Sequence, residues 1–217
     1  MTSVIIVAGG KGLRMGSEIP KQYIKINGKM ILEHTIEKFQ ELDCVDEIII
    51  VTPKNDILFC EEEIKFDKIK KFVAGGENRR DSVYNGLKYV SKNSGIVLVH
   101  DGVRPFVSNE IIRNVIGAVK EHGSAVTAVS LKDSIKFSKD GEFFEKSLDR
   151  SKLYLIQTPQ GFKKDIITKA YENAINQGLD GTDDSCFVEL LGIKPKIVLG
   201  SYRNIKITTK DDLEAFR

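Results

Sequence analysis

The sequence contains no apolar run that approaches the roughly 20 residues of a membrane-spanning helix, so we expect no membrane partner. It begins on a strand-like stretch without the charged, apolar and small-residue parts of a secretion signal, and we therefore expect a cytoplasmic protein. Its 33 Lys and Arg against 31 Asp and Glu give a net charge of +2. This charge is too small and too evenly spread to predict nucleic-acid binding, but it is compatible with small anionic ligands.

Cysteine is also scarce. Cys44, Cys60 and Cys186 are far apart and lack any paired short spacing, which argues against a disulfide framework and against a zinc site. The 217 residues, 41% hydrophobic and 29% charged, are typical of a globular protein with a full core. We see no linker and no internal repeat, and we expect one domain over residues 1–217.

Two common glycine motifs are missing from the glycine-rich stretch near the N-terminus. The dinucleotide fingerprint needs a third glycine where Met15 stands, counting from Gly10 and Gly12. The P-loop needs Ser or Thr directly after Gly-Lys, and neither Lys11 nor Lys29 is followed by one. These departures argue against a nicotinamide or flavin enzyme and against a Walker-type ATPase.

The same stretch nevertheless predicts a ligand site. A strand-like run, Val4–Ala8, leads into a loop whose glycines let backbone N–H groups approach phosphate oxygens. Arg14 and Lys21 add charges that could neutralise a reacting phosphorus centre. The pattern predicts a nucleotide-triphosphate site, and a flexible turn between a strand and a helix is the alternative.

Apolar runs of strand length alternate along the chain with stretches of helical period. Because this alternation is typical of a parallel sheet with helices on both faces, we predict an α/β fold. Helical stretches with one apolar face occur near 31–42, 83–90, 112–119 and 166–174. The predicted strands are Val4–Ala8, Glu47–Thr52, Ile69–Val73, Ile96–Val99, Ala125–Val129, Leu153–Gln157, Lys196–Leu199 and Ile205–Thr208.

An arm at about 132–150 interrupts this pattern. Alternating residues on both sides of an Asp-Gly turn predict a β-hairpin. Phe137, Phe143 and Phe144 give it more apolar surface than a solvated two-stranded arm should carry. We therefore expect a second subunit to cover the arm in a homodimer, and a hairpin folded over the chain's own sheet is the alternative.

Polar residues follow the predicted strands at the edge where open parallel sheets bind ligands. Gly75–Ser82 offers a glycine pair and a helix N-terminus for a base and a phosphate edge. Asp101 is a candidate Mg²⁺ ligand, because a hard cation prefers carboxylate and phosphate oxygens together, with a capping or salt-bridged Asp as the alternative. His100 is predicted to be a packed residue rather than a catalytic base, since no Ser or Cys nucleophile motif lies beside it.

Nine short motifs occur in a recognisable order over nearly the whole chain. They are Gly9–Met15, Pro20–Gln22, Gly75–Glu77 with Arg79 and Ser82, His100–Pro105, Lys132–Ser134, Asp149–Ser151, Gln157–Gln160, Thr182–Asp184 and Asn204–Thr208. In this order they resemble the 2-C-methyl-D-erythritol 4-phosphate cytidylyltransferase family. The resemblance implies a Rossmann-like nucleotidyltransferase fold, and transfer of a cytidylyl group from CTP to methylerythritol phosphate with release of pyrophosphate, in non-mevalonate isoprenoid synthesis.

The resemblance also implies roles for individual residues. The catalytic residues would be Arg14, Lys21, Arg150 and Lys206, and Asp101 would hold Mg²⁺. CTP would contact Ala8, Gly9, Gly10, Gly12, Gly76, Glu77, Ser82 and Gly102. The acceptor phosphate would contact Arg104, Ser134 and Thr158, with Ser134 and Arg150 supplied across a dimer by the arm.

A relative with another acceptor, ribitol-5-phosphate cytidylyltransferase, is the alternative. Ala8-Gly9-Gly10 stands where the methylerythritol family more usually has Ala-Ala-Gly, and the Gly-Gly form is common in ribitol phosphate enzymes. Asp149–Leu153, in contrast, matches the methylerythritol pattern. Outside this chemistry, a dinucleotide-binding oxidoreductase and a non-catalytic nucleotide-binding protein stay open.

Overall fold

The computed structural model describes residues 1–10 and 19–216 of the chain. Its strands are β1 (Thr2–Val7), β2 (Lys25–Ile26), β3 (Lys29–Met30), β4 (Glu47–Thr52), β5 (Ile69–Ala74), β6 (Ile96–Asp101), β7 (Ser124–Ser130), β8 (Ile135–Phe137), β9 (Lys146–Leu148), β10 (Tyr154–Lys163) and β11 (Lys196–Leu199). Its helices are α1 (Ile31–Gln40), α2 (Ile57–Glu63), α3 (Arg79–Leu87), α4 (Asn109–His122), α5 (Lys164–Asn176) and α6 (Ser185–Glu189). Short 3₁₀ helices lie at Lys21–Tyr23, Lys54–Asp56, Arg150–Lys152 and Asp211–Phe216.

Seven strands form one sheet in the order β11-β7-β10-β6-β1-β4-β5. Strand β10 runs antiparallel to both of its neighbours, and every other pair in the sheet is parallel. The predicted mostly parallel α/β fold is therefore confirmed.

The central strands consist almost entirely of branched apolar residues. All six residues of β4 are buried, and so are Val4, Ile5 and Ile6 of β1. Such runs are expected where both faces of a parallel strand are covered, which is why the sequence predicted β4 with the bounds that it has.

Helices cover both faces of the sheet and divide the core into two layers. Helices α1, α2 and α4 bury residues such as Phe39, Cys60 and Val115 on one face. Helices α3, α5 and α6 bury residues such as Val83 and Tyr171 on the other. Within the described part of the chain, no helix is both long and apolar enough to cross a membrane.

The predicted strand at Ile205–Thr208 is wrong. The segment has no strand structure, and the backbone N–H of Ile207 donates to the carbonyl of Val103 at 2.9 Å. Ile207 is fully buried, in a small cluster with Ile31 and Val103. One buried residue between two partly exposed neighbours gives the alternation of a strand, although the segment does not join the sheet.

The predicted strand at Leu153–Gln157 is longer than expected and has the opposite direction to its neighbours. It extends from Tyr154 to Lys163, and its register shifts between Ile156 and Gln160. The outer part, Tyr154–Ile156, pairs with β7 alone, whereas the inner part pairs with both β6 and β7. The sequence suggested that the alternating α/β pattern resumes directly after the arm. The antiparallel direction of β10 departs from that pattern.

The predicted hairpin is confirmed, with strands of only three residues each. At its tip, Oδ1 of Asp140 accepts hydrogen bonds from the backbone N–H groups of Glu142 at 2.9 Å and Phe143 at 3.1 Å. Phe143 and Phe144 are 72% and 77% exposed, so the arm is not folded over the chain's own sheet. The second subunit expected to cover the arm stays a prediction.

A second, smaller hairpin was not predicted. Strands β2 and β3 pair antiparallel through a two-residue turn, with Asn27 at φ 52° and Gly28 at φ 83°. Asn-Gly is the strongest short signal for such a turn, because both positions need positive φ. This hairpin connects the 3₁₀ helix at Lys21–Tyr23 to α1.

Candidate active site

A cleft of about 580 Å³ opens where β1, β5 and β6 end. This is the carboxyl edge of the parallel strands, where the sequence predicted ligand binding. Six of the residues predicted to contact CTP line it, namely Ala8, Gly9, Gly10, Gly76, Glu77 and Ser82. Lys21, Asp101 and Lys206 also line it, so the structure brings these predicted catalytic and metal-binding residues together.

The loop after β1 contributes Gly9 and Gly10 to the lining of the cleft. The N–H of Ala8 donates to the carbonyl of Val51 at 2.7 Å, which fixes the start of the loop against β4. A Cβ added to Gly9 or Gly10 would meet no other atom of the described residues within 4 Å. The room above these glycines suits a phosphate group. Gly12 and Arg14 lie outside the described residues, and their roles stay predictions.

The loop after β5 is built around the N-terminus of α3. Asn78 caps the helix, with Oδ1 accepting from the N–H of Asp81 at 2.9 Å. The hydroxyl of Ser82 donates to the carbonyl of Asn78 at 2.8 Å and accepts from the N–H of Gly76 at 3.1 Å. A Cβ on Gly76 would lie 2.3 Å from Cβ of Asp81, so this position needs glycine. Gly76 and Glu77 remain exposed on the cleft wall.

Asp101, at the end of β6, is surrounded by cations. Its Oδ2 lies 3.1 Å from Nε of Arg104 and 3.1 Å from Nζ of Lys206, and its Oδ1 lies 3.8 Å from Nη2 of Arg79. Burial acts to raise the pKa of Asp101, but the charges of Lys206, Arg79 and Arg104 outweigh burial and hold this pKa well below its usual range. The carboxylate is therefore ionised. Asp101 is salt-bridged in this structure, and its role as a metal ligand is untested.

Arg79 is held at the cleft wall by a buried carboxylate. Its Nη1 and Nη2 each donate to Asp184 at 2.7 Å, and the hydroxyl of Tyr171 donates to the same carboxylate. Burial acts to lower the pKa of Arg79, but the charge and hydrogen bonds of Asp184 raise it overall. Two parallel bonds fix the guanidinium plane as well as its position. The sequence indicated both Arg79 and Asp184 but not their pairing.

A chain of hydrogen bonds lies behind Asp101. The N–H of Asp101 donates to Oγ1 of Thr158 at 3.0 Å. Nε2 of His100 lies 3.1 Å from the carbonyl of Arg104, which can only accept, so Nε2 carries the proton of the neutral ring and donates it. Nδ1 of His100 is then an acceptor, and the hydroxyl of Thr158 donates to it at 3.0 Å. Burial lowers the pKa of His100 to about 4, so the ring is neutral, and its prediction as a packed residue is confirmed.

Thr158 consequently lies behind the cleft and not in its wall. It is 4% exposed, and its hydroxyl is engaged on both sides by protein atoms. From this position Thr158 orients the backbone at Asp101. Its predicted contact with the acceptor phosphate stays a prediction.

The segment at 201–208 forms the part of the cleft wall that contains Lys206 and Thr208. Nη1 of Arg104 donates to the carbonyl of Asn204 at 2.8 Å, and Lys206 follows two residues later with its side chain 39% exposed. Nζ of Lys21 reaches across the cleft to the carbonyl of Ile207 at 3.0 Å. The side chains of Lys21 and Lys206 therefore approach the same space from two elements that are far apart in sequence.

Close packing favours glycine at Gly102. A Cβ there would lie 3.0 Å from Cβ of Ala8 and 3.1 Å from Cδ1 of Leu32. Its N–H donates to the carbonyl of Val7 at 2.9 Å, and its carbonyl accepts from Oγ1 of Thr35 at 3.0 Å. Both backbone groups are thus engaged inside the protein, and the predicted contact with cytosine stays a prediction.

Five predicted site residues in the described part of the chain do not line this cleft, namely Gly102, Arg104, Ser134, Arg150 and Thr158. Ser134 and Arg150 are exposed on the arm, and Arg150 donates to the carbonyl of Lys132. Neither residue lines the cleft, although both were predicted to approach a site across a dimer.

The wall also contains residues that belong to the named motifs and runs but were given no role of their own. They are Val7, Gln22, Asn78, Val103 and Thr208, and Arg79 lines it as well. Each of them lies close in sequence to a residue that was predicted to belong to the site. The neighbouring positions of each motif were therefore the sequence signal that could have identified them. Among charged lining residues, Lys21, Arg79 and Lys206 outnumber Glu77 and Asp101, which suits a polyanionic ligand.

Comparisons with known proteins identify the family of this chain. The family model described as "IspD: 2-C-methyl-D-erythritol 4-phosphate cytidylyltransferase" matches residues 2–216. Proteins with that name from Clostridium acetobutylicum and Alkaliphilus oremlandii are 50% and 46% identical, over 99% and 98% of this chain and 95% and 92% of their own lengths. The crystal structure of 4-diphosphocytidyl-2C-methyl-D-erythritol synthase from Anaerococcus prevotii matches with a TM-score of 0.87 at 37% identity, over 99% of this chain and 94% of that one. The chain belongs to the 2-C-methyl-D-erythritol 4-phosphate cytidylyltransferase family.

Proposed function

We propose that this chain transfers a cytidylyl group from CTP to 2-C-methyl-D-erythritol 4-phosphate. The products are 4-diphosphocytidyl-2-C-methyl-D-erythritol and pyrophosphate, in the non-mevalonate route of isoprenoid biosynthesis. Family membership over residues 2–216 supports this reaction. The structural observation that carries it is the convergence of Lys21, Asp101 and Lys206 on one cleft beside an open glycine loop.

The proposed chemistry is an in-line displacement at the α-phosphorus of CTP. An oxygen of the acceptor phosphate forms the new bond to phosphorus, and the bond to the bridging oxygen of the β-phosphate breaks, so that its electron pair leaves with pyrophosphate. The attacking oxygen is already anionic and needs no general base. The difficulty is to bring two anions together in line, which positioning and fixed positive charge overcome.

Lys21 and Lys206 are positioned to supply that charge. Both line the cleft, and hydrogen bonds or ion pairs to Ile207 and Asp101 hold their ammonium groups in place. Charges that are fixed before the substrate binds need little reorganisation as the negative charge at phosphorus grows. Arg14 is proposed to join them, on the strength of the family resemblance.

The proposed CTP contacts follow the two loops of the cleft. The phosphates would lie over Gly9 and Gly10, which line the cleft and have no side chain to keep a phosphate from the backbone. The cytosine would lie against Gly76 and Glu77, which are exposed on the opposite wall, with Ser82 beneath them.

Mg²⁺ is the proposed metal, and Asp101 is the residue that would hold it. The described residues contain no group of three or more His, Cys, Asp or Glu that could hold a metal ion. Mg²⁺ does not require such a group, because it is commonly bound by one or two carboxylates together with substrate phosphates and water. The ionised carboxylate of Asp101 in the cleft wall fits that role. Bound Mg²⁺ would supply positive charge to the triphosphate.

A homodimer through the arm is also proposed. The exposed Phe143 and Phe144 are accompanied by exposed apolar residues at the start of β10, Tyr154, Leu155 and Ile156. Exposed large apolar side chains in this number are typical of a protein interface. Ser134 and Arg150 lie away from their own cleft, and in a dimer they would approach the partner's cleft.

The test is pyrophosphate release from CTP and Mg²⁺, measured in parallel with methylerythritol 4-phosphate and with ribitol 5-phosphate. Release with the first acceptor alone is expected. Release with ribitol 5-phosphate alone would overturn the proposed acceptor and retain the chemistry. CTP binding without release from either acceptor would indicate a non-catalytic nucleotide-binding protein.

A further inference from the structure

Three glutamine side chains are buried in the described part of the chain, and they differ in how their amides are satisfied. Gln160 is fully buried, with Nε2 donating to Asp183 at 2.8 Å and Oε1 accepting from the N–H of Ser185 at 3.0 Å. Gln157 donates to the carbonyl of Ser201 at 2.8 Å and also accepts hydrogen bonds. Gln22 is 1% exposed, and its Nε2 has no hydrogen-bond partner among these residues.

An unpaired amide of this kind is costly to the free protein. A buried donor without a partner loses its hydrogen bonds to water and gains none, which destabilises the fold. Leucine would fill a similar space without this cost. The amide of Gln22 is therefore better explained by a contact that the free protein does not make.

The position of Gln22 indicates where that contact lies. Gln22 lines the cleft between Lys21, which reaches the carbonyl of Ile207, and Tyr23, whose hydroxyl donates to Asp56 at 2.9 Å. Both neighbours anchor the short 3₁₀ helix, so the backbone at Gln22 is fixed. The last side-chain torsion of glutamine is broad, and a turn of the amide would direct Nε2 into the cleft without moving that backbone.

We propose that Gln22 is a nucleotide-binding residue whose Nε2 donates to a phosphate oxygen of CTP. This inference rests on the proposed function and extends it by one contact. Nε2 can only donate, so it needs an acceptor, and a triphosphate offers many. Lys21 and the open backbone of Gly9 and Gly10 line the same cleft, and these are groups that suit phosphate.

The test compares Gln22→Leu with the unmodified protein in two measurements. Without nucleotide, the melting temperature of the variant should rise by about 2–4 °C, because an unpaired buried donor is removed. With Mg²⁺ present, the dissociation constant for CTP, measured by calorimetry, should increase about tenfold or more. A purely structural residue would not improve stability and weaken ligand binding together.

Gln160→Leu is the matched control, since it removes a buried amide that is fully paired. Its melting temperature should fall, because Asp183 and the N–H of Ser185 would lose a partner. Gln22→Glu keeps the shape of the side chain but replaces the donor with an anion, so it should weaken CTP binding more than Gln22→Leu does.

Unchanged CTP affinity in Gln22→Leu would overturn this inference, and so would a fall in melting temperature like that of the control. Failure of the proposed function has a different signature. In that case the unmodified protein would release no pyrophosphate. If only the proposed role of Gln22 were wrong, the unmodified protein would be fully active.

Discussion

The cleft and the arm both carry functional predictions, but different contacts hold their side chains. In the cleft, the carboxylate of Asp101 is almost fully buried and meets Arg104 and Lys206 at 3.1 Å. Lys206 comes from a distant part of the chain, and so does Arg79, which lies 3.8 Å from the same carboxylate, whereas Arg104 is three residues away. In the arm, Asp140 bonds only to residues within three positions, and Phe143 and Phe144 face solvent.

This difference shows which parts of a site one chain can organise alone. The charges of the cleft wall are fixed before any ligand arrives, because packing and ion pairs over long sequence distances place them. Such preorganisation is the main source of electrostatic catalysis. The arm offers exposed groups that need a partner surface before they have a defined place. The predictions below test this contrast.

The largest effect should come from Lys21→Ala. If its charge acts mainly in the transition state, kcat should fall about 100-fold or more while the KM for CTP changes little. Steady-state kinetics of pyrophosphate release measure both quantities. Lys25→Ala, four residues along and with an exposed side chain, is the control and should keep its kcat. An unchanged kcat in Lys21→Ala would remove Lys21 from the mechanism.

The next effect tests whether the arm completes the partner's site. Arg150→Ala and Lys21→Ala should each be poorly active alone, since one lacks an arm residue and the other a cleft residue. After mixing and subunit exchange, about a quarter of the sites should combine an intact cleft with an intact arm, and activity should return to about that level.

Mixing Arg150→Ala with a Lys21→Ala protein that also lacks Ser138–Phe144 provides the control. The arm that carries the intact Arg150 has then lost its tip and should no longer hold the partner, so no activity should return. Recovery in this second mixture, or none in the first, would show that the arm does not act across a dimer. Sedimentation of each variant checks its oligomeric state.

A smaller effect is expected for Asp101→Asn. The amide keeps the shape of the side chain but binds a divalent cation weakly, so the Mg²⁺ concentration for half-maximal activity should rise about tenfold. Titration of activity with Mg²⁺ measures it. Asp184→Asn is a useful comparison, because it disturbs Arg79 from behind the wall and should leave the Mg²⁺ requirement nearly unchanged. Equal Mg²⁺ curves for Asp101→Asn and the unmodified protein would indicate another ligand.

The smallest effect concerns the pH dependence of stability. Burial lowers the pKa of His100 from 6.5 to about 4 in the folded chain. Between these two pH values, His100 is mostly protonated in the unfolded chain and mostly neutral in the folded chain. The free energy of unfolding should therefore fall by about 1 kcal/mol between pH 6.5 and 5.5 from this group alone.

Urea unfolding of the unmodified protein and of His100→Gln at these two pH values isolates that contribution. The variant should lose less stability over the interval, whatever its stability at pH 6.5. Asp140→Asn, at the exposed tip of the arm, should lose as much as the unmodified protein. Identical losses in all three proteins would contradict the buried neutral state of His100.

Much of the fold follows from local sequence. The six residues of β4, all of them buried, and the four residues of β11, of which Val198 is buried, were predicted with their observed bounds, because branched apolar runs have few other stable arrangements in an α/β protein. The direction of a strand and the strands with which it pairs are not determined by its local sequence. The antiparallel course of β10 depends on which strands it lies between, and the apolar alternation at 205–208 could not show that this segment has no place in the sheet.

The site could be predicted where residues follow strands. Asp101 and the glycine loop come directly after β6 and β1, and the edge of a parallel sheet brings such positions together. Lys206 was placed by family resemblance alone. The pairing of Arg79 with Asp184, 105 residues away, depends on how α3 packs against α5 and α6, and no local pattern specifies it.

Strand β10 connects the two regions compared above. It begins at Tyr154, near the base of the arm, and four residues later Thr158 bonds to the backbone of Asp101. A shift at the base of the arm would therefore reach the carboxylate of Asp101 along one short, hydrogen-bonded stretch of backbone. A small molecule bound at Tyr154–Ile156 would compete with the proposed dimer partner for this surface and would act on turnover without entering the nucleotide cleft, so it would not compete with CTP.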